Sequence, residues 1–312
     1  MCSISINVVV MIMLIFYVPS QMCDRSFNTI VGFGDANTDT GNVYTLTNHT
    51  WPLVPPYYQG RFCDNLLWIE RLNIPNVLSY AYGDATIDND NLIVGYTYLN
   101  RTQVYGIRQQ IVRYLQATDI SKVDLSRTMY VIWASGVEYL LNPKITADVV
   151  VNAFLSAVYD LLILNINYLI VINVPPLQFY PGMMNNSQLA TLIMQHNQLL
   201  LSNITQIKEN FMQTSIQLFD VYSLISAMLW NNSLHSLNTT GKCWDIENKT
   251  IVSLCSNPQG YVFLDNNHLT SSVHQTIADN IQSLLTSLSS RTMFSLNLTV
   301  FICIVLFLFK HY

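Results

Sequence analysis

Short apolar runs alternate along this chain with stretches of helical length, and that alternation restricts the fold more than any other feature. Thr29–Phe33 reads as a first strand and Val77–Ala81 as a second. Met129–Ala134 and Tyr168–Val174 are nearly continuous apolar runs, as strands are when both faces are covered. Pro175-Pro176 stops the latter, and Ser215–Phe219 reads as a short further strand. Val104–Ala117, Thr146–Leu164 and Ser187–Phe211 have helical length, and Thr270–Leu288 is a closing helix with Thr270 as its expected N-cap. Such alternation implies a parallel sheet sandwiched by helices, and right-handed crossovers make it doubly wound. The expected fold is one three-layer α/β/α domain around a parallel sheet of about five strands. Ligands of such sheets bind outside the carboxyl ends of the strands.

Half of the 312 residues are hydrophobic and 11% are charged, so a sizeable core needs no disulfide stapling. The net charge is −5 with no Lys/Arg run, which argues against a nucleic-acid partner. The apolar stretch Asn7–Val18, followed by Pro19-Ser20-Gln21-Met22-Cys23, reads as a secretory signal peptide over 1–22, although no Lys or Arg precedes it. The folded domain is expected over 27–290. The apolar tail over 293–309 reads as a membrane span at the short limit or as a lipid-anchor signal. These ends imply the secretory pathway and a membrane-tethered place at the cell surface. Sequons at Asn48, Asn100, Asn185, Asn203, Asn231, Asn238, Asn248 and Asn297 agree with secretion. Cys243 and Cys255 bracket a polar loop and are expected to pair. No C-x-x-C spacing occurs, which argues against a zinc site; no metal and no cofactor are expected.

The chemistry is concentrated where the first strand ends. Thr29-Ile30-Val31-Gly32-Phe33 runs into a tight Gly34-Asp35 turn. That layout puts a nucleophile at the top of an α/β sheet, but the next residue is Ala36, whose methyl group can neither attack a carbonyl nor accept a proton. Four other segments belong with it: Tyr58-Gln59-Gly60-Arg61-Phe62-Cys63-Asp64-Asn65 with Trp68-Ile69-Glu70; Ser79-Tyr80-Ala81-Tyr82-Gly83-Asp84-Ala85-Thr86; Val131-Ile132-Trp133-Ala134-Ser135-Gly136-Val137-Glu138-Tyr139-Leu140; and Cys255-Ser256-Asn257-Pro258 through Tyr261-Val262-Phe263-Leu264-Asp265-Asn266-Asn267-His268-Leu269-Thr270.

In this order the segments resemble the GDSL-type SGNH hydrolases, especially their secreted acetylesterase and lysophospholipase-like branch, over roughly residues 27–290. The family patterns they match are G-D-S-L-S-D-T-G-N, Y-x-G-R-F-S-N-G with V-W-x-E, N-Y-A-x-G-G-A-T, V-I-W-I-G-x-N-D-Y-L and C-x-N-P-x-x-Y-x-F-x-D-x-x-H-x-T. The third departs at Ser79 and Asp84. In the mechanism this resemblance implies, a serine attacks an ester carbonyl, a histidine takes its proton, and an aspartate three residues earlier orients the histidine. The oxyanion is held by the nucleophile's own N–H, a glycine N–H and an asparagine amide. Carried over, His268 is the base, Asp265 its orienter and Gly83 the backbone oxyanion donor, while Ala36 takes the nucleophile position and Val137 the asparagine position. Loss of a triad serine costs about 10⁶ in kcat, and loss of one oxyanion donor costs about 10²–10³.

Plainer roles compete. Gly34-Asp35 and Asp39-Thr40-Gly41 are ordinary turn chemistry. Asp265 and His268 precede a helix, where polar residues bond locally, and glycine at 83 suits a tight turn. Arg61 either binds an anion or braces the Asp39 loop, with bracing favoured. Trp68 and Trp133 read as core. Thr38 is the nearest hydroxyl to the vacated position, but two residues on it points elsewhere. The reading favoured from sequence is a monomeric pseudo-esterase that binds a small ester, an acetylated glycan or a lipid. The alternatives are an active ester hydrolase with another nucleophile, or water, activated by His268, and a non-catalytic surface adhesion or interaction protein.

Overall fold

The computed structural model describes residues 27–97, 101–184, 186–230, 237–247 and 249–287. The leader over 1–22, the tail over 293–309 and the sequons at Asn100, Asn185, Asn231, Asn248 and Asn297 lie outside the described residues.

Five parallel strands form the central sheet: β1 (Thr29–Gly34), β2 (Asn76–Ser79), β3 (Thr128–Trp133), β4 (Tyr168–Ile172) and β5 (Ser215–Phe219). Their order is β2-β1-β3-β4-β5. Side chains alternate between the faces of a strand, and every residue of β3 is buried. Both faces of the sheet are therefore covered, which is why these strands read as unbroken apolar runs. The helices around the sheet are α1 (Asn42–Leu46), α2 (Ile107–Ala117), α3 (Val137–Leu141), α4 (Ala147–Leu162), α5 (Ser187–Asn210), α6 (Val221–Trp230) and α7 over 271–287. On α4 the buried residues Val150, Val151, Phe154, Leu155, Val158, Leu161 and Leu162 recur at helical spacing and form its inner stripe.

Away from the sheet, β6 (Asn238–Lys242) pairs in parallel with β9 (Tyr261–Phe263), and β7 (Trp244–Glu247) forms a hairpin with β8 (Thr250–Leu254). A Cys243–Cys255 disulfide closes the base of that hairpin, and the Cys255 N–H donates to the Cys243 carbonyl at 2.9 Å. Trp68 and Trp133 are fully buried core residues with their rings 6.2 Å apart.

Thr270 does not cap α7 with its side chain. Its hydroxyl donates to the Tyr261 carbonyl at 2.6 Å. Asp64 meets the helix start instead, accepting from the Ser271 N–H and hydroxyl, each at 2.7 Å.

The strand order reverses beside β1. The chain leaves β1 for β2 on one side and later crosses to β3 on the other. The crevice outside the carboxyl ends of β1 and β3 is the topological switch point. Gly34, the last residue of β1, can only be glycine, because a Cβ there would lie 2.4 Å from the Trp133 carbonyl oxygen. The buried Gln110 side chain locks this junction, accepting from the Gly34 N–H at 2.9 Å and donating to the Gly34 carbonyl at 2.8 Å.

Candidate active site

A cavity of about 370 Å³ opens at the switch point. Asp35, Ala36 and Asn37 reach it from the end of β1, Ser135 and Val137 from the end of β3, and Asp265 to His268 from the segment ahead of α7. Trp51, Tyr57, Phe62 and Tyr180 supply aromatic walls, while Leu140, Leu141, Leu177 and Met183 supply an aliphatic one. The positions that the sequence motifs single out as 36, 137, 265 and 268 thus line one cavity.

His268 and Asp265 form a close pair. The histidine Nδ1 lies 2.8 and 2.9 Å from the two carboxylate oxygens. The Asn267 and His268 N–H groups donate to Asp265 Oδ1 at 2.8 and 3.0 Å, and the Tyr57 hydroxyl donates to Oδ2 at 2.6 Å. Burial works to raise the Asp265 pKa, but the His268 charge and these bonds outweigh it and leave it below the usual carboxylate range. Burial opposes a charge on His268 too; attraction from Asp265, supported by Asp84 and Asp35, prevails and raises its pKa. Phe62 stacks on the imidazole at 5.0 Å and 26°, and Tyr57 meets it edge-on at 6.2 Å. With Nδ1 turned to Asp265, Nε2 is the nitrogen left for a ligand oxygen.

The opposite wall is built from turns. Asp35 Oδ1 accepts from the Asn37 N–H at 3.2 Å, and Oδ2 accepts from the Ser135 N–H at 2.7 Å and hydroxyl at 2.5 Å. Burial dominates here and raises the Asp35 pKa. The Ala36 N–H has no hydrogen-bond partner among the described residues. Asp39 ties the first and third motif segments together. It accepts from the Gly41, Asn42 and Val43 N–H groups at the start of α1, and from the Gly83 N–H at 2.8 Å. Burial lifts its pKa to about 6 against those bonds.

Gly83 therefore does not present a free amide to the cavity, and it is not among the lining residues. The expectation that it donates to an oxyanion finds no support in this geometry. Glycine is needed at 83 for another reason: a Cβ would lie 2.2 Å from the Phe62 ring, the ring that stacks on His268. Asp84, which stands where the family pattern has its second glycine, has φ +63° and lines the cavity. Aspartate tolerates that left-handed conformation better than most residues, so the backbone of the motif persists with an added carboxylate.

Val137 opens α3 and brings no polar group to the wall. Glu138 beside it is buried and accepts from the Ile87 N–H at 2.6 Å, and burial raises its pKa to about 7. Arg61 braces Glu70 rather than the Asp39 loop, with Nε 2.8 Å and Nη2 2.5 Å from the two Glu70 oxygens. Thr38 is buried and does not line the cavity. The motifs did not point to Tyr57 and Tyr180, and Ser135 stands where the family pattern has glycine. Among the described residues no cluster of His, Cys, Asp or Glu is placed to hold a metal ion.

A doubly wound parallel sheet with a His–Asp pair over its switch point defines the class as an α/β hydrolase-type scaffold. The chain belongs to the GDSL-like lipase/acylhydrolase family, whose model matches residues 30–281. It is 25% identical over 229 residues to the phosphatidylcholine-sterol acyltransferase of Aeromonas hydrophila, covering 69% of this chain and 64% of that protein. It is 24% identical over 283 residues to the secreted effector protein SseJ of Salmonella typhimurium, covering 86% of this chain and 66% of that protein. The chain thus spans just under two thirds of the length of these relatives. Among solved structures, a member of the lipolytic protein G-D-S-L family from Veillonella parvula is 13% identical at a TM-score of 0.48, covering 83% of this chain and 98% of that one. The M. smegmatis aryl esterase is 13% identical at 0.46, covering 83% and 99%.

Proposed function

We propose that this protein binds a carboxylic ester, carried by a lipid or an acetylated glycan, in the cavity between Ala36 and His268, and that the family's serine route is blocked. The observation that carries the reading is the alanine methyl in the cavity shared with the His268–Asp265 pair. The Leu140, Leu141, Leu177 and Met183 wall suits an acyl chain, and the acyltransferase name of the Aeromonas relative supports a lipid ester. Without a hydroxyl to deprotonate, His268 serves as a hydrogen-bond donor to the ligand through Nε2, a role its raised pKa favours. The apolar ends of the sequence and the Cys243–Cys255 disulfide support a secreted or membrane-tethered protein.

The test is hydrolysis of p-nitrophenyl acetate by the wild type and by His268→Ala. Equal rates at the level of background are expected; a clear drop in the variant overturns the reading. One observation favours a second reading, an active hydrolase: the Ser135 hydroxyl lines the cavity and is held by Asp35. A fluorophosphonate probe separates the two readings, because a covalent adduct on Ser135 belongs only to the active enzyme.

A further inference from the structure

A buried side-chain hydroxyl among the cavity-lining residues is unaccounted for. Tyr180 follows the turn Leu177–Phe179 beyond β4 and is 2% exposed, with its ring 5.0 Å from that of Phe263. Its hydroxyl is buried and has no hydrogen-bond partner among the described residues. Most buried side-chain polar atoms are hydrogen-bonded; the other unpaired buried hydroxyls among the described residues, those of Thr38 and Ser226, do not line the cavity. The other lining tyrosine, Tyr57, commits its hydroxyl to Asp265, so the orphan is a property of position 180 and not of the cavity's aromatic character.

The surroundings say what the hydroxyl can bond. Burial and the nearby charge of Asp35 push the phenol pKa well above its ordinary value, so it keeps its proton and can donate. The turn that carries it lies against the β3 end of the cavity, where a Cβ on Gly136 would lie 3.1 Å from Leu177 Cδ1. The side-chain donors at this end are turned to Asp35: the Ser135 hydroxyl bonds its Oδ2 and the Asn37 amide its Oδ1, while Val137 has no donor and the Gly83 backbone N–H is taken by Asp39. Among the described residues that line this end, the Ala36 N–H and the Tyr180 hydroxyl have no hydrogen-bond partner.

We infer that Tyr180 is a ligand-binding residue whose hydroxyl donates to the carbonyl oxygen of the bound ester, in place of the side-chain donor that Val137 cannot supply. The inference rests on the ester-binding reading above and names the group that would distinguish an ester from an ether of the same shape.

Tyr180→Phe removes the hydroxyl alone. The probes are benzyl butyrate and benzyl butyl ether, which differ by exchange of a carbonyl for a methylene, with dissociation constants measured by titration calorimetry or ligand-observed NMR. The wild type is expected to prefer the ester by about 5–10-fold, the scale of one net hydrogen bond, and Tyr180→Phe to lose that preference while still binding the ether. The melting temperature of the variant should stay level or rise, since no internal bond is lost. An ester preference that survives in Tyr180→Phe overturns the assignment and leaves the ester-binding reading standing. A wild type that binds neither probe overturns both. A variant that melts earlier shows the hydroxyl to be bonded within the protein, and that too overturns the assignment.

Discussion

Asp35 and Asp265 line one cavity. Both are buried, and they titrate in opposite directions. Asp265 has a cationic partner in His268 and is held down; Asp35 has only hydroxyl and amide donors, and burial pushes it up. The difference shows that hydrogen bonds from neutral groups do not offset desolvation here, whereas an adjacent charge does. It also shows that the two walls have parted in character. The His268 wall retains a complete relay, with Tyr57 and two backbone amides behind the carboxylate. The Ala36 wall is a set of turns with a methyl group at position 36, and its hydroxyl, that of Ser135, is bonded to Asp35. The relay is so well bonded into the protein that its presence is not evidence of turnover.

The largest effect should come from re-equipping the poorer wall. Ala36→Ser is expected to raise p-nitrophenyl acetate hydrolysis by about 10³-fold over the wild type, part of the 10⁶ that a triad serine supplies. Adding Val137→Asn should contribute a further ~10². A flat kcat/KM in both variants would mean that the two walls do not meet a common carbonyl.

Stability against pH sharpens the same contrast. Glu138, next to Val137, is raised from 4.5 to about 7. The folded protein therefore keeps a proton that the unfolded chain has already lost, and stability falls as pH rises through that window. Glu138→Gln should remove this slope, gaining about 3 kcal/mol over the wild type at pH 8 and little at pH 4, as read from denaturant unfolding. A gain that is constant with pH would refute the assignment.

On the richer wall, Tyr57→Phe should cost about 2 kcal/mol at pH 7, because it strips a donor from a buried carboxylate. Asp265 is held below its ordinary range, so that deficit should persist down to acid pH and shrink only as the carboxylate takes up its proton. Equal stability of wild type and variant at pH 7 would show that the bond is not made in solution.

The central strands β1, β3 and β4 were legible because they are covered on both faces. β5 falls at its expected bounds, and β1, β3 and β4 fall within one or two residues of theirs. Other elements carried no such signal. α1 and α3 have five residues each, too short to show a period. α6 is apolar nearly throughout and shows no clear face, and the β7–β8 hairpin carries an exposed strand, β8. In the site, Asp265 and His268 stand out from their spacing ahead of a helix. Tyr57 reaches Asp265 from 208 residues away, and Asp64 reaches the start of α7 from 207; no local pattern encodes such meetings. The bond from the Gly83 N–H to Asp39, 44 residues away, has the same origin. Sequence shows that a glycine is needed there, but not which neighbour requires it. The departure at Asp84, by contrast, was visible, and it marks a residue that does line the cavity.

The bare backbone at 83 leaves a slot one ring thick, and the Phe62 phenyl fills it so that the imidazole of His268 rests flat on an aromatic floor. A single methyl group there would drive that floor upward and tilt the base away from its carboxylate. A mutational scan of this domain would score position 83 as intolerant, and the score would report the lie of an aromatic ring rather than the loss of an amide.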